Sequence, residues 1–266
     1  MSELLRVAHL AKSFGGVAAV VDVSFTVAAG EKLALIGPNG AGKSTCFNLL
    51  NGQLTPDSGR IFLGADEITF LPPRRIWRLG VGRTFQVTQS YASMSVIENV
   101  QVALLSHHRR LFALWPRAAD LYVDEAMELL RLVGMAEQAR RPCGILAYGD
   151  LKRVELAVAL ANDPKLLLMD EPTAGMASRE RGALMVLTEE IVRARGIGVL
   201  FTEHDMDVVF GHADRVIVLD RGRIIAAGSP AAMREDPAVR AVYLGSGKPG
   251  VRSSVLRDAA FSGSSG

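Results

Sequence analysis

The chain has 266 residues, 49% of them hydrophobic and 22% charged, an ordinary globular composition that excludes a disordered or fibrous protein and predicts one large domain or a core with an inserted subdomain. Thirty basic against 28 acidic residues leave a formal charge of +2, too small and too evenly spread to mark a nucleic-acid or anionic-membrane binder by charge. Two cysteines, Cys46 and Cys143, make no disulfide framework, no charged-then-apolar leader precedes residue 20, and no apolar run approaches the ~18 residues of a membrane span, so a cytosolic chain that does not itself cross a bilayer is expected.

In chain order, Leu4 to Leu10 and Val23 to Val27 alternate apolar and polar residues and predict two half-buried, antiparallel strands. Leu33 to Ile36 is apolar without alternation and ends in a glycine-rich turn, the pattern of a central parallel strand covered on both faces. Asp57-Ser58-Gly59 marks a turn before a third short strand, Arg60 to Leu63. From Gln86 to Tyr148 the pattern becomes helical, with Val96 to Leu105 and Asp120 to Val133 as helices, and reads as an inserted subdomain at about 87–148. Strands return at Leu166 to Met169, Val199 to Thr202 and Arg215 to Leu219, and Leu184, Leu187 and Ile191 share one face of a helix over Arg179 to Ala194. Such alternation predicts an α/β fold with a mainly parallel sheet, spanning 1–245, and the Ser/Gly/Arg-rich 246–266 is expected as a flexible tail.

Gly37-Pro38-Asn39-Gly40-Ala41-Gly42-Lys43-Ser44 satisfies G-x-x-x-x-G-K-[ST] directly after a buried strand and before a helical pattern, which identifies a P-loop. The glycines let backbone N–H groups close on phosphate oxygens, Lys43 adds a point charge near the β and γ phosphates, and Ser44 offers a hydroxyl to Mg²⁺. Cys46 follows one turn into that helix, where a buried inert thiol is the favoured reading and activation by the positive helix end the alternative. Leu166-Leu167-Leu168-Met169-Asp170-Glu171 delivers two acids to the carboxyl end of a buried strand, where α/β sheets bind ligands. Asp170 is placed to hold Mg²⁺, and Glu171 lies beside the position of an attacking water.

With these residues in this order the chain is similar to ABC-type ATPases over nearly all of Leu4 to Gly245. The resemblance also rests on Gly82-Arg83-Thr84-Phe85-Gln86, on Ala147-Tyr148-Gly149-Asp150-Leu151 before a helix, and on His204 after a strand. It implies a RecA-like P-loop NTPase core with an antiparallel β subdomain and the inserted helical one. It implies ATP and Mg²⁺ as ligands, with Phe14 stacking on adenine and Thr45 joining Gly37 to Ser44 around the phosphates. Gln86 would sense Mg²⁺ and the attacking water, His204 would contact the γ phosphate, and Tyr148, Gly149 and Asp150 of one subunit would cap ATP held by the P-loop of another. Val154, Ala157, Val158 and Ala161 predict one apolar face for the helix that follows.

Within that family the chain most resembles the ATP-binding subunits of branched-chain amino acid importers, through Phe14-Gly15-Gly16, Arg83 to Gln86, the long stretch Leu104 to Leu121, Glu203-His204-Asp205-Met206 and Val242-Tyr243-Leu244-Gly245. This implies a homo- or heterodimer of ATP-binding subunits beneath membrane permeases, a periplasmic binding protein as indirect partner, no nucleic acid, and a place at the cytoplasmic face of the membrane. Tyr148 stands where the family commonly has Ser, and Ala177 where its dimer-contacting loop has an acid or amide. Urea or amide import, lipopolysaccharide export and a soluble ABC ATPase outside transport remain as alternatives; a GTPase would carry Asn-Lys-x-Asp, which is absent.

Overall fold

The computed structural model describes residues 2–84, 91–110 and 118–245. Gln86, residues 111–117 of the long helical stretch and the expected tail at 246–266 lie outside the described residues. In chain order come β1 (Glu3–Phe14), β2 (Val17–Ala28), β3 (Lys32–Ile36), α1 (Lys43–Leu50), β4 (Ser58–Leu63), β5 (Asp66–Glu67), α2 (Pro73–Arg78) and β6 (Val81–Thr84). Three helices follow, α3 (Val96–His107), α4 (Val123–Leu132) and α5 (Tyr148–Leu160). The rest alternates as β7 (Leu166–Asp170), α6 (Ser178–Arg195), β8 (Gly198–Thr202), α7 (Met206–His212), β9 (Arg215–Asp220), β10 (Arg223–Gly228), α8 (Pro230–Glu235) and α9 (Pro237–Gly245).

β1 and β2 pair antiparallel and join a four-stranded sheet of order β2-β1-β4-β5. The second sheet has six strands in the order β10-β9-β3-β8-β7-β6, all parallel to their neighbours except β10. Its continuous apolar strands follow from burial on both faces. Leu33, Leu35, Leu166, Leu168, Leu200, Ile217 and Leu219 point into a core shared with the antiparallel sheet and with Phe47 and Leu50 of α1. Their strand neighbours Ala34, Ile36, Leu167, Met169, Val199, Phe201, Val216 and Val218 point into a second core under the helices. A leucine taken fully from water contributes about 1.5–3 kcal/mol, so these two layers hold the parallel edge rigid.

Several elements depart from the sequence reading. β6 is a strand with only one large apolar residue, Val81, and forms because it pairs in register with β7. It passes so close to α5 that a Cβ on Gly82 would run into the Ala159 carbonyl oxygen. β10 was not expected either, and closes the other edge as an antiparallel return on β9. The helix expected from Asp120 begins at Val123, because Tyr122 takes a left-handed backbone with φ 58°, which a right-handed helix cannot include. α5 was expected to bury a single face, yet Leu156, Ala159 and Leu160 are buried along with Val154 and Ala157, and the Lys152–Glu155 pair is buried at 2.9 Å. α5 is therefore packed nearly all round, between α3, α4, α6 and β6.

Candidate functional site

Parallel pairing in the order β3-β8-β7 brings the carboxyl ends of three strands to one edge: Ile36 leading into the P-loop, Thr202, and Asp170 with Glu171. The loop between β3 and α1 depends on its glycines. Gly37 (φ 153°) and Gly42 (φ 104°) hold backbone conformations that side chains disfavour, and a Cβ there would strike the carbonyl oxygens of Leu219 and Ala19. Gly40 (φ 81°) faces open space instead. Gly42 caps α1 with no side-chain bond, so the helix start presents its N–H groups to whatever anion arrives. Asn39 and Ser44 are exposed, Pro38 and Thr45 partly so, and Ala41 is buried.

Lys43 lies 8% exposed, its Nζ donating to the carbonyls of Gly37 at 2.7 Å and Pro38 at 3.1 Å. Burial pulls its pKa below the usual lysine value, while the charges of Glu171 and Asp170 pull it back up. Asp170 is also buried; its Oδ1 accepts from Thr202 Oγ1 at 2.8 Å and its Oδ2 lies 3.5 Å from Arg83. Arg83 in turn donates to Asn48 Oδ1 and Gln53 Oε1, tying β6 to α1 and the residues after it. Burial pulls the Arg83 pKa below the usual arginine value, and the charge and hydrogen bond of Asp170 pull it back up.

Glu171 has φ 49°, a left-handed conformation rare for such a residue. Its N–H donates to Thr202 O at 3.2 Å and Thr202 Oγ1 at 3.1 Å, and its Oε1 lies 2.8 Å from His204 Nε2. Beneath them Glu203, 4% exposed, accepts from the Thr173 N–H at 2.8 Å and the Thr173 hydroxyl at 2.7 Å. Burial pushes the Glu203 carboxyl above its usual range, against the downward pull of those bonds and of the His204 backbone. The structure thus gathers Lys43, Asp170, Glu171 and His204 at one place. Sequence reading missed Thr202, Thr173 and Glu203 as members of that cluster; a polar residue closing the apolar strand Gly198–Thr202 was the available signal.

The other predicted residues sit at two further places. Phe14 ends β1 with 46% of its surface exposed, which excludes the core role such a ring could have had; Lys12 Nζ lies 5.7 Å from the ring centre. Tyr148, Gly149 and Asp150 open α5, whose cap residue Ala147 makes no side-chain bond. A Cβ on Gly149 would meet Glu180 and Met176 only at 3.6 Å, so packing within the chain does not demand glycine there. Tyr148 is 41% exposed, packs its ring near Gly175 and takes Lys152 Nζ at 5.4 Å from the ring centre. Ala177 caps α6 without a side-chain bond. Cys46 is fully buried and its thiol is pushed up to about 12 by burial, which favours the reading of a core thiol over one activated by the helix end.

Among the described residues no group of three or more His, Cys, Asp and Glu could hold a metal ion. The buried Asp170 carboxylate and the exposed Ser44 hydroxyl are oxygen donors of the kind Mg²⁺ takes. A glycine cradle at a helix start, a lysine inside it and two acids at the end of β7, two strands away in the sheet, define a P-loop nucleoside triphosphatase.

Comparison with known proteins narrows this class. The ABC transporter family matches residues 20–174, and a branched-chain amino acid ATP-binding cassette transporter family matches 223–249. The high-affinity branched-chain amino acid transport ATP-binding protein LivG of Salmonella typhimurium is 39% identical over 251 residues, 91% of this chain and 98% of that protein. The lipopolysaccharide export system ATP-binding protein LptB of Acidithiobacillus ferridurans is 38% identical over 92% of this chain and 98% of its own length. The ADP conformation of MJ1267, an ATP-binding cassette of an ABC transporter, superposes with a TM-score of 0.83 at 32% identity, covering 92% of this chain and all of that one. The chain belongs to the ATP-binding subunits of ABC transporters, on the branch that includes the branched-chain amino acid cassettes, and is accordingly an ATPase. No helix among the described residues is long and apolar enough to cross a membrane.

Proposed function

We propose that this chain binds Mg-ATP at its P-loop and hydrolyses it to power the uptake of branched-chain or related amino acids through separate permease subunits, lying against the cytoplasmic face of the membrane. The 36–39% identity to bacterial branched-chain amino acid transport subunits and the match at 223–249 favour import over lipopolysaccharide export, whose ATPase is comparably similar over the same span. In this reading 1–245 is one cassette with a helical subdomain at about 87–148, and 246–266 is a tail.

The observation that carries the chemistry is the pairing of Glu171 Oε1 with His204 Nε2 at 2.8 Å, beside Asp170 and Lys43. The P-loop N–H groups and Lys43 bind the phosphates, with Phe14 against the base and Thr45 beside Ser44. Ser44, Asp170 and Gln86 would hold Mg²⁺, which when bound neutralises charge on the β and γ phosphates. Glu171 orients and polarises the attacking water and takes its proton, and His204 holds the Glu171 carboxylate while reaching the γ phosphate. Tyr148, Gly149 and Asp150 of a second ATP-binding subunit close the site from above, the open α5 start offering N–H groups to the γ phosphate.

Glu171→Gln tests the assignment, since it removes the base and keeps the shape. Single-turnover hydrolysis should fall by roughly 10²–10⁴ while ATP affinity by calorimetry changes little. Near-normal turnover would move the catalytic role elsewhere.

A further inference from the structure

Glu171 and His204 stand on two different loops, one after β7 and one after β8, so their 2.8 Å contact has to be set by something that joins those loops. Thr202 holds the Glu171 N–H, but it does so at the end of β8, before the loop that carries His204 begins. Downstream, one buried side chain spans the gap: the Glu203 carboxylate takes both donors of Thr173, itself fully buried, and Glu203 is the residue directly before His204 in the chain. A closed circuit results, running from Glu171 along the chain to Thr173, through the Glu203 carboxylate to His204, and back through the imidazole to Glu171. Thr173 O also accepts from the Met176 N–H, and Glu171 O from the Ala174 N–H, so the circuit extends into the turn that ends at Ala177.

The left-handed backbone of Glu171 gives this circuit a physical task. Such a conformation costs of order 1–3 kcal/mol and persists only where surrounding bonds impose it. Strain of that kind relaxes if the loop is released, and relaxation swings the Glu171 carboxylate away from its place. We infer that Glu203 is a positioning residue for hydrolysis, latching the loop of Glu171 to the loop of His204 and holding both side chains at their working separation. It touches neither nucleotide nor water in this role and acts through its neighbours. The inference rests on Glu171 being the group that activates water.

The test compares the full chain and its Glu203→Ala, Glu203→Gln and Thr173→Val variants, each verified by melting curve and ATP calorimetry. Glu203→Ala should lower kcat about 10- to 100-fold, the loss a displacement near 1 Å produces, with KM and ATP affinity held within about twofold. Glu203→Gln keeps an acceptor for Thr173 and should recover most of that loss, and Thr173→Val, which deletes one of the two Thr173 donors, should cost about 3- to 10-fold. In a Glu171→Gln background the Glu203→Ala change should add less than about twofold, because the group it positions is already gone. Equal losses in both backgrounds, or normal turnover in Glu203→Ala while Glu171→Gln is inactive, would overturn the latch alone. Normal turnover in Glu171→Gln would overturn the reading of the site beneath it. Should Glu203→Ala fail to fold, Thr173→Val and Glu203→Gln decide by the same split between kcat and KM.

Discussion

Lys43 has its ammonium bound to two carbonyls of its own loop, Gly37 and Pro38, with the acids Asp170 and Glu171 close enough to raise its pKa against burial. An incoming phosphate meets a cation already desolvated and held in place, so little ordering remains to be done when it binds. Lys43→Ala removes a charge-assisted contact worth about 1.5–3 kcal/mol, and ATP affinity measured by calorimetry should fall by roughly 10- to 150-fold. Unchanged affinity would remove Lys43 from phosphate binding. Cys46 lies three residues further along the same helix and behaves in the opposite way. Its thiol is buried and its pKa is pushed up to about 12, so thiolate is scarce at neutral pH. Alkylating reagents should leave Cys46 unlabelled in the folded protein with or without ATP, and mass spectrometry should find it modified only after denaturation.

Two helix starts show how the same rule gives opposite outcomes. α3 opens with a complete capping box, Ser95 bonded to the Glu98 N–H and Glu98 reaching back to Ser95. α6 opens on exposed Ala177 in an extended conformation suited to a cap, with no side-chain bond at all. Ala177→Asp supplies the missing acceptor and should stabilise the protein by about 1 kcal/mol, seen as a rise of about 2–4 °C in Tm. No rise would mean that the α6 N–H groups already have other partners. Element by element, legibility followed local pattern. β3, β7 and β8 were readable as apolar runs because both their faces are covered, and α3 and α6 by their periodicity. β6 was not, because Gly82 and Arg83 serve a backbone contact with α5 and a bond to Asp170, which leave no apolar signature. The start of α4 was missed because the left-handed turn at Tyr122 comes without a glycine.

At the scale of the molecule the candidate site was legible where it rests on contiguous motifs and illegible where it rests on contacts across the sheet. Lys43, Asp170 and Glu171 were recognisable from order and spacing, and His204 through the family resemblance, whereas Glu203 meets Thr173 across 30 positions and Arg83 meets Asp170 across 87, distances no local pattern records. Gly149, in the motif Ala147-Tyr148-Gly149-Asp150-Leu151, is a different case, since it is readable but packing within the chain does not require it: its neighbours leave a Cβ in ordinary contact at 3.6 Å. If its backbone serves a second subunit, two chains with complementary defects should restore each other. A Lys43→Ala chain keeps a working Gly149 motif, and a Gly149→Asp chain keeps a working P-loop while placing a negative charge where the partner's phosphate would come. Each alone should be inactive. Mixed in equal amounts with random pairing, half of the dimers contain one of each, and each of those has one intact composite site out of two, so the mixture should regain about a quarter of the normal rate if the two sites act independently. ATP hydrolysis of the mixture, measured against each variant alone at the same total protein concentration, decides the matter. A mixture no more active than its parts would defeat the shared site and return Gly149 to a purely local role at the head of α5.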